Sequence, residues 1–343
     1  MKMHLLAAVA AFALLVPVAA EEAKPAPSPG EIVAAAPASD WTAIAASDLL
    51  VMDLAPGARG PRRVVIQLMP APFSQGWIGN IRKLAAARWW DGTSVNRVQD
   101  NYVVQWGDAT EKKALPEGLM VVGQENYVSK DRDVLDQLLE KSGGAAAAEF
   151  FAEEAENAAE EAMAATGASS ADGEPYSDRR VRDPYASHHD TFFGWLIAGH
   201  RKDDGYEYWP VHCYAMVGVG RNLSPDTGSG AELYTVIGHA PRHLDRNIAL
   251  VGRVIEGIEH LSSLPRGTGA LGFYEKEEER VPILSVRIGT DIADLPAFEY
   301  LSTESATFAQ YADARANRRD PFFNVPAGGA DICNIPVPVR RRP

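Results

Sequence analysis

Two stretches constrain this chain most: TSVNRVQDNYVVQWGDAT, from Thr93 to Thr110, and TGSGAELYTVIGHAPRHLD, from Thr227 to Asp245. In AELYTV, alternation with a period of two puts Glu232 and Tyr234 on one face of a strand and Leu233 on the other, because successive strand side chains point to opposite sides. Upstream, LLVMDL (Leu49 to Leu54) and RVVIQLM (Arg63 to Met69) flank PGARGP. The Pro and Gly suit a reversing turn, so the pair predicts a β-hairpin. FSQGWIGNIRKLAAARWW follows and sets Trp77, Ile78, Ile81, Leu84 and Ala85 at spacings of three and four, which is one apolar face of a helix. Ser74 is placed to N-cap that helix and Asp91-Gly92 to stop it. Farther on, YWPVHCYAMVGVG and ERVPILSVRIG read as strands, and IALVGRVIEGIEHLSSL as a strand running into a helix.

The two stretches resemble the signatures of the cyclophilin family of peptidyl-prolyl isomerases. The first family signature reads FHRxxxxFxxQGGD, and VNRVQDNYVVQWGD keeps the Arg, an aromatic five residues later, the Gln and the closing Gly-Asp. The second reads NGSQFFI, a short loop and LDG, against GSGAELYTV and HLDR in this chain. Two separated matches in the right order are more specific than either alone. The resemblance covers about Leu49 to Asp108 and Val211 to Gly289. It implies a mainly β fold, a closed eight-stranded antiparallel barrel capped by helices.

Rotation about a prolyl peptide bond faces a barrier of about 18–20 kcal/mol, because amide resonance must be lost. The reaction needs no nucleophile and no proton shuttle. It needs a pocket for the proline ring and a fixed donor that favours the twisted amide over the planar one. The resemblance places Arg97 on the family's catalytic arginine, a role that suits a guanidinium because it is always charged and directional. Tyr102 and Val103 stand where the family has Phe and Met, and Gln105 falls on its Gln. These three would form one wall of the proline pocket, with Gln105 binding substrate backbone. Tyr234 aligns with the Phe that floors the pocket and Leu244 with the Leu of its rim. His243 takes a position often held by Trp, Ile248 one often held by His, and Glu232 replaces a Gln. An ionised Glu cannot donate a hydrogen bond. These departures leave two readings, a peptidyl-prolyl isomerase or a catalytically weak or inactive proline-peptide binding module or chaperone. Either way the resemblance implies proline-containing polypeptides as partners and requires no cofactor or metal.

The remainder of the chain reads as appendages to such a domain. Residues 1–20 place Lys2 ahead of an apolar stretch from Leu5 to Val18 and end in Val18-Ala19-Ala20, the pattern of a cleavable secretory signal peptide. The apolar run falls short of the roughly 20 residues that span a bilayer, and nothing later is long and apolar enough to do so. An exported protein is expected, periplasmic in a Gram-negative host. Residues 21–40, rich in Ala and Pro, read as a flexible linker.

The cyclophilin-like domain is expected over 41–290, interrupted at about 111–207 by an Ala/Glu-rich helical insertion, with a C-terminal extension over 291–343. Within the insertion, Phe150, Phe151, Ala155 and Ala158 make a narrow apolar stripe, so one or two surface helices are expected. Both a solvated excursion and a contact for a protein partner fit it. Helical character is also expected from Phe298 to Tyr311.

The net charge of −13 argues against nucleic acid as a partner, because phosphate binding needs a concentrated basic surface. Cys213 and Cys333 either pair in an oxidising compartment or stand apart, one buried in a strand and one in a tail. GTGALG, from Gly267 to Gly272, matches a dinucleotide-site pattern but lacks a preceding strand of a βαβ unit, so it reads as a loop. His188, His189, Asp190 and His200 match no standard metal-ligand spacing and read as solvated loop residues.

Overall fold

The computed structural model describes residues 25–130, 183–202 and 205–343. The expected signal peptide and the Ala/Glu-rich helices lie outside the described residues. Order begins earlier than the composition suggests. Pro29–Ala34 forms helix α1, with Pro29 in its first turn. Its Ser28 cap takes part in a capping box, in which the Glu31 carboxylate accepts from the Ser28 backbone N–H at 2.7 Å. A helix this short is unstable alone. It packs against the C-terminal helix Ala306–Ala316, so this part of the stretch read as a linker is docked.

After β1 (Trp41–Ile44), the expected hairpin is present as β2 (Leu49–Gly57) and β3 (Gly60–Leu68), in register from Leu49 opposite Gln67 to Gly57 opposite Gly60. Helix α2 (Gln75–Ala86) buries Trp77, Ile78, Ile81, Leu84 and Ala85. Ser74 holds its N-cap position, but with φ 56° and no side-chain bond to the helix. The helix ends before Asp91, whose carboxylate instead pairs with Arg287 at 2.6 Å.

Strands β4 (Ser94–Val98) and β5 (Val103–Gly107) follow, then β6 (Ser129–Lys130), β7 (His188–Phe192), β8 (Trp195–Lys202) and β9 (Gly205–Pro210). The chain continues through β10 (Met216–Val219), β11 (Leu233–Val236), β12 (Leu250–Glu256), a helical turn α3 (Glu259–Ser262) and β13 (Val281–Ile288). It ends with β14 (Phe298–Leu301), helix α4 (Ala306–Ala316) and β15 (Val339–Arg341).

Eight of these strands close an antiparallel barrel in the order β10-β11-β5-β4-β13-β2-β3-β12. Closure removes the unpaired edges that an open sheet would present. Its core includes Leu50, Met52, Val64, Ile66, Val104, Trp106 and Leu233.

Two further layers differ from the sequence expectation. The described flanks of the insertion, on either side of the expected helices, form a four-stranded sheet ordered β6-β9-β8-β7. Phe193 and Gly194, both at positive φ (45° and 80°), turn β7 into β8, as a tight hairpin requires. The histidines read as loop residues therefore lie in strands, His188 and His189 in β7 and His200 in β8. Phe298–Leu301 is a strand as well, the centre of a sheet ordered β1-β14-β15. Helix begins only after Ser305, whose hydroxyl accepts from the Phe308 backbone N–H at 3.1 Å. Trp41–Ile44 thus pairs with the C-terminal extension and not with the barrel. A disulfide joins Cys213, just before β10, to Cys333. Among the described residues, no helix is long and apolar enough to cross a membrane.

Candidate active site

Strands β4, β5, β11 and β10 are consecutive in the barrel. Their register sets Arg97 opposite Gln105, Gln105 opposite Tyr234, and Tyr234 opposite Gly218. Partners across a strand pair share a face, so one row of side chains crosses the barrel wall. Period-two alternation sends Val104, Trp106 and Leu233 into the barrel core. Val103, Tyr234 and Val236 form a separate buried apolar cluster, with Tyr102, Leu244 and Ile248 packed around it. The exposed His243 ring lies over Tyr102, centroids 6.3 Å apart and planes inclined by 13°.

Arg97 stands at the edge of this cluster. Its Nε donates to the Leu271 carbonyl at 2.8 Å, Nη1 to Gln105 Oε1 at 3.1 Å, and Nη2 to Gln99 Oε1. Its guanidinium carbon is 5.7 Å from the Tyr102 ring centroid and 5.4 Å from that of Phe273, within cation–π range of both. Burial holds the guanidinium below its ordinary value and pushes the Tyr102 hydroxyl up. A guanidinium has five N–H donors, so these three bonds leave one N–H on each Nη. They also lock the group without a carboxylate that would neutralise it.

The support comes from the segment that carries GTGALG. β13 pairs with β4 only at Ser94 and Val95. Beyond them the 267–274 segment runs along the vacated edge, with bonds from Tyr274 N to Asn96 O (2.9 Å) and from Gly267 N to Val98 O (2.9 Å). This segment delivers the Leu271 carbonyl and the Phe273 ring to Arg97.

Glu232 occupies the space that a side chain would fill at Gly107. A Cβ there, where φ is +154°, would lie 1.9 Å from the Glu232 Oε1. Glu232 therefore lies over Gly107, one register step along from Gln105 on the same face and outside the apolar cluster. Its burial pushes the carboxyl up to about 7, against hydrogen bonds from the Asp108 backbone and from the Gln105 and Asn96 side chains that pull it down.

Arg97, Tyr102, Val103, Gln105, Tyr234, His243, Leu244 and Ile248 are thus brought to one face, with Glu232 on the same face over Gly107. Sequence reasoning missed Val236, Gln99, Leu271 and Phe273. Period two from Tyr234 would have found Val236. The others depend on tertiary placement. Among the described residues, no group of three or more His, Cys, Asp or Glu is placed to hold a metal ion.

Residues 63–288 match the family described as cyclophilin type peptidyl-prolyl cis-trans isomerase/CLD. The chain belongs to this family and is a peptidyl-prolyl cis–trans isomerase. Comparison with curated proteins finds no match. Among solved structures, cyclophilin AquaCyp293 from Hirschia baltica is similar with a TM-score of 0.57 at 18% identity, over 88% of this chain and 92% of that one. That likeness extends to the fold. A cyclophilin type isomerase of Cryptosporidium parvum, crystallised in the presence of the dipeptide Ala-Pro, aligns with a TM-score of 0.34 at 10% identity, over 70% of this chain and 98% of that one.

Proposed function

We propose that the protein accelerates cis/trans exchange at X-Pro bonds of exported polypeptides, with Arg97 as the catalytic donor. The observation that carries this reading is the state of Arg97. It is desolvated, flanked by two rings, fixed by a carbonyl and two amide oxygens, and retains unengaged N–H groups beside an apolar cluster. In this reading the proline ring enters the cluster over Tyr234, between Val103, Leu244 and Ile248. A free Nη N–H of Arg97 bonds the prolyl carbonyl oxygen.

As the amide twists, its nitrogen lone pair leaves conjugation. A donor that favours the localised form lowers the barrier only to the extent that it binds the twisted state better than the planar one. A donor already fixed in a desolvated site needs little reorganisation as the bond turns. Gln105 holds Arg97 and offers its amide to substrate backbone. Tyr102 and His243 form the rim.

Export is supported by the leader pattern at residues 1–20 and by the Cys213–Cys333 disulfide, since disulfides persist in oxidising compartments. Uncatalysed prolyl exchange takes tens to hundreds of seconds, slow enough to be a rate-limiting folding step.

Two-dimensional NMR exchange on an X-Pro peptide, with the parent and Arg97→Ala at equal concentration, tests the assignment. Exchange accelerated by the parent and lost in the variant is expected. Equal acceleration by both removes Arg97 from the mechanism. Peptide shifts without acceleration by the parent would favour a binding role for the pocket.

A further inference from the structure

The floor of the apolar cluster carries a hydroxyl that the proposed isomerisation does not use. Tyr234 is only 4% exposed, and its hydroxyl lies 2.8 Å from His212 Nε2. His212 is 1% exposed, and its Nδ1 lies 2.8 Å from Asp245 Oδ1, which also accepts from the His212 backbone N–H at 3.0 Å. Asp245 Oδ2 accepts from Arg242 Nε at 2.6 Å and from Trp209 Nε1 at 3.3 Å. Arg242 Nη1 in turn donates to Asp183 Oδ1 at 2.9 Å. Burial alone would raise the Asp245 carboxyl, but the bonds from His212 and the charge of Arg242 hold it below its ordinary range.

The acceptor-only carboxylate of Asp245 takes a hydrogen bond from His212 Nδ1–H, and the other ring nitrogen, Nε2, faces the Tyr234 hydroxyl. The arrangement also requires a gap on the neighbouring strand. A Cβ on Gly218 would lie 2.3 Å from that hydroxyl. Room for the phenol and a partner for its proton are therefore both built in.

We propose that His212 and Asp245 are positioning residues that tether Tyr234 from beneath and fix the ring as the floor of the proline pocket. The inference rests on the reading that this cluster is the pocket. A buried hydroxyl without a partner is costly, so loss of His212 would drive the ring to seek another and disturb the floor. The apolar walls, Val103, Val236, Leu244 and Ile248, offer none from their side chains.

The test is a cycle of His212→Leu, Tyr234→Phe and the double variant, read by X-Pro exchange kinetics and by peptide binding from resonance shifts. His212→Leu should lower kcat/KM about 10-fold, mainly through KM, the scale of orphaning one buried hydroxyl. Tyr234→Phe should lose less, and the double variant should return to within about 3-fold of the parent, because neither polar group is then stranded. A purely structural role would lower stability in every variant and give no kinetic rescue. His212→Leu kinetics equal to the parent's, or a double variant no better than His212→Leu, overturns the tether.

Histidine ¹⁵N spectra of the folded parent and Tyr234→Phe provide a measurement that survives if His212→Leu does not fold. An Nδ1-protonated tautomer whose Nε2 resonance moves when the hydroxyl is removed is expected, and an unmoved Nε2 overturns the proposal. A parent that neither binds nor isomerises the peptide would sink the pocket reading itself. Normal isomerisation by the parent with no effect of His212→Leu would sink the tether alone.

Discussion

The barrel carries two desolvated arginines, Arg97 on β4 and Arg253 on β12, and in both burial holds the guanidinium below its ordinary value, to about 10 for Arg253. β4 and β12 lie on opposite sides of the eight-stranded ring. The local solutions are alike. Arg253 donates to Gln67 Oε1 at 2.9 and 2.7 Å and to the Gly194 carbonyl at 2.7 Å, with Trp195 stacked at 4.5 Å. Arg97 likewise uses amide oxygens, one carbonyl and aromatic rings.

The difference lies in what covers them. The tip of the β7–β8 hairpin, Gly194 and Trp195, seals Arg253, whereas Arg97 is flanked by one loop and stands half-buried at the edge of the apolar cluster. In the proposed function the same chemistry serves docking on one side of the barrel and recognition on the other. Amide and carbonyl acceptors can hold a guanidinium in a dry place without quenching its charge. That is neutral for a seal and essential for a donor.

If the two sides are separable, damage to the appended layers should cost stability and damage to the Arg97 side should cost rate. The largest effect is expected from Cys213→Ser/Cys333→Ser. The cross-link spans a sequence separation of 120 residues, and the chain-entropy model gives a loss of up to roughly 4–5 kcal/mol. Urea unfolding under non-reducing conditions measures it, and an unchanged midpoint would mean that packing alone holds the extension.

Next, Arg97→Ala should cut kcat/KM by roughly 10²–10³-fold, about 2.7–4 kcal/mol of transition-state stabilisation, with unfolding free energy within about 1 kcal/mol of the parent. Arg253→Met should do the reverse. It strands buried acceptors at Gln67 and Gly194, worth about 1–3 kcal/mol each, and should leave exchange kinetics of the folded protein intact. A rate loss in Arg253→Met approaching that of Arg97→Ala would break the separation.

The barrel was legible because its signals are local and repeated. The hairpin, the helix carrying Trp77 and Leu84, and the alternation around Leu233 each follow from a period that burial enforces. Arg97, Tyr102, Gln105 and Tyr234 were legible through the two family signatures, and the register of β4, β5 and β11 sets Arg97, Gln105 and Tyr234 in one row. The appended layers were not. Phe298–Leu301 reads as helix when run together with Ala306–Ala316, and only pairing with Trp41–Ile44, more than 250 residues earlier, makes it a strand. Leu271 and Phe273 were hidden because their role is set by an unpaired strand edge. His212 sits in a strand-like apolar run, and its partners lie 22 and 33 residues away in sequence.

The finest test of the Arg97 side concerns Glu232, which lies over Gly107 on the same face as Gln105. Its carboxyl is raised from 4.5 to about 7, so between those values the folded protein holds a proton that the unfolded chain has released. Stability should therefore fall as pH rises through this window and level off above it. Glu232→Gln removes the titration, and its stability relative to the parent should grow over the same range.

The kinetic consequence runs through Gln105, whose side chain bonds Glu232 while its Oε1 accepts from Arg97. A carboxylate accepts more strongly than a neutral acid, so above pH 7 it should fix the Gln105 amide more firmly and Arg97 with it. The parent's kcat/KM should rise through about pH 7 by less than about 10-fold, because Glu232 acts only through a second residue. Glu232→Gln should give a flat profile across that range. A profile in the variant that still bends near 7 would move the titration to another group and leave Glu232 as packing over Gly107.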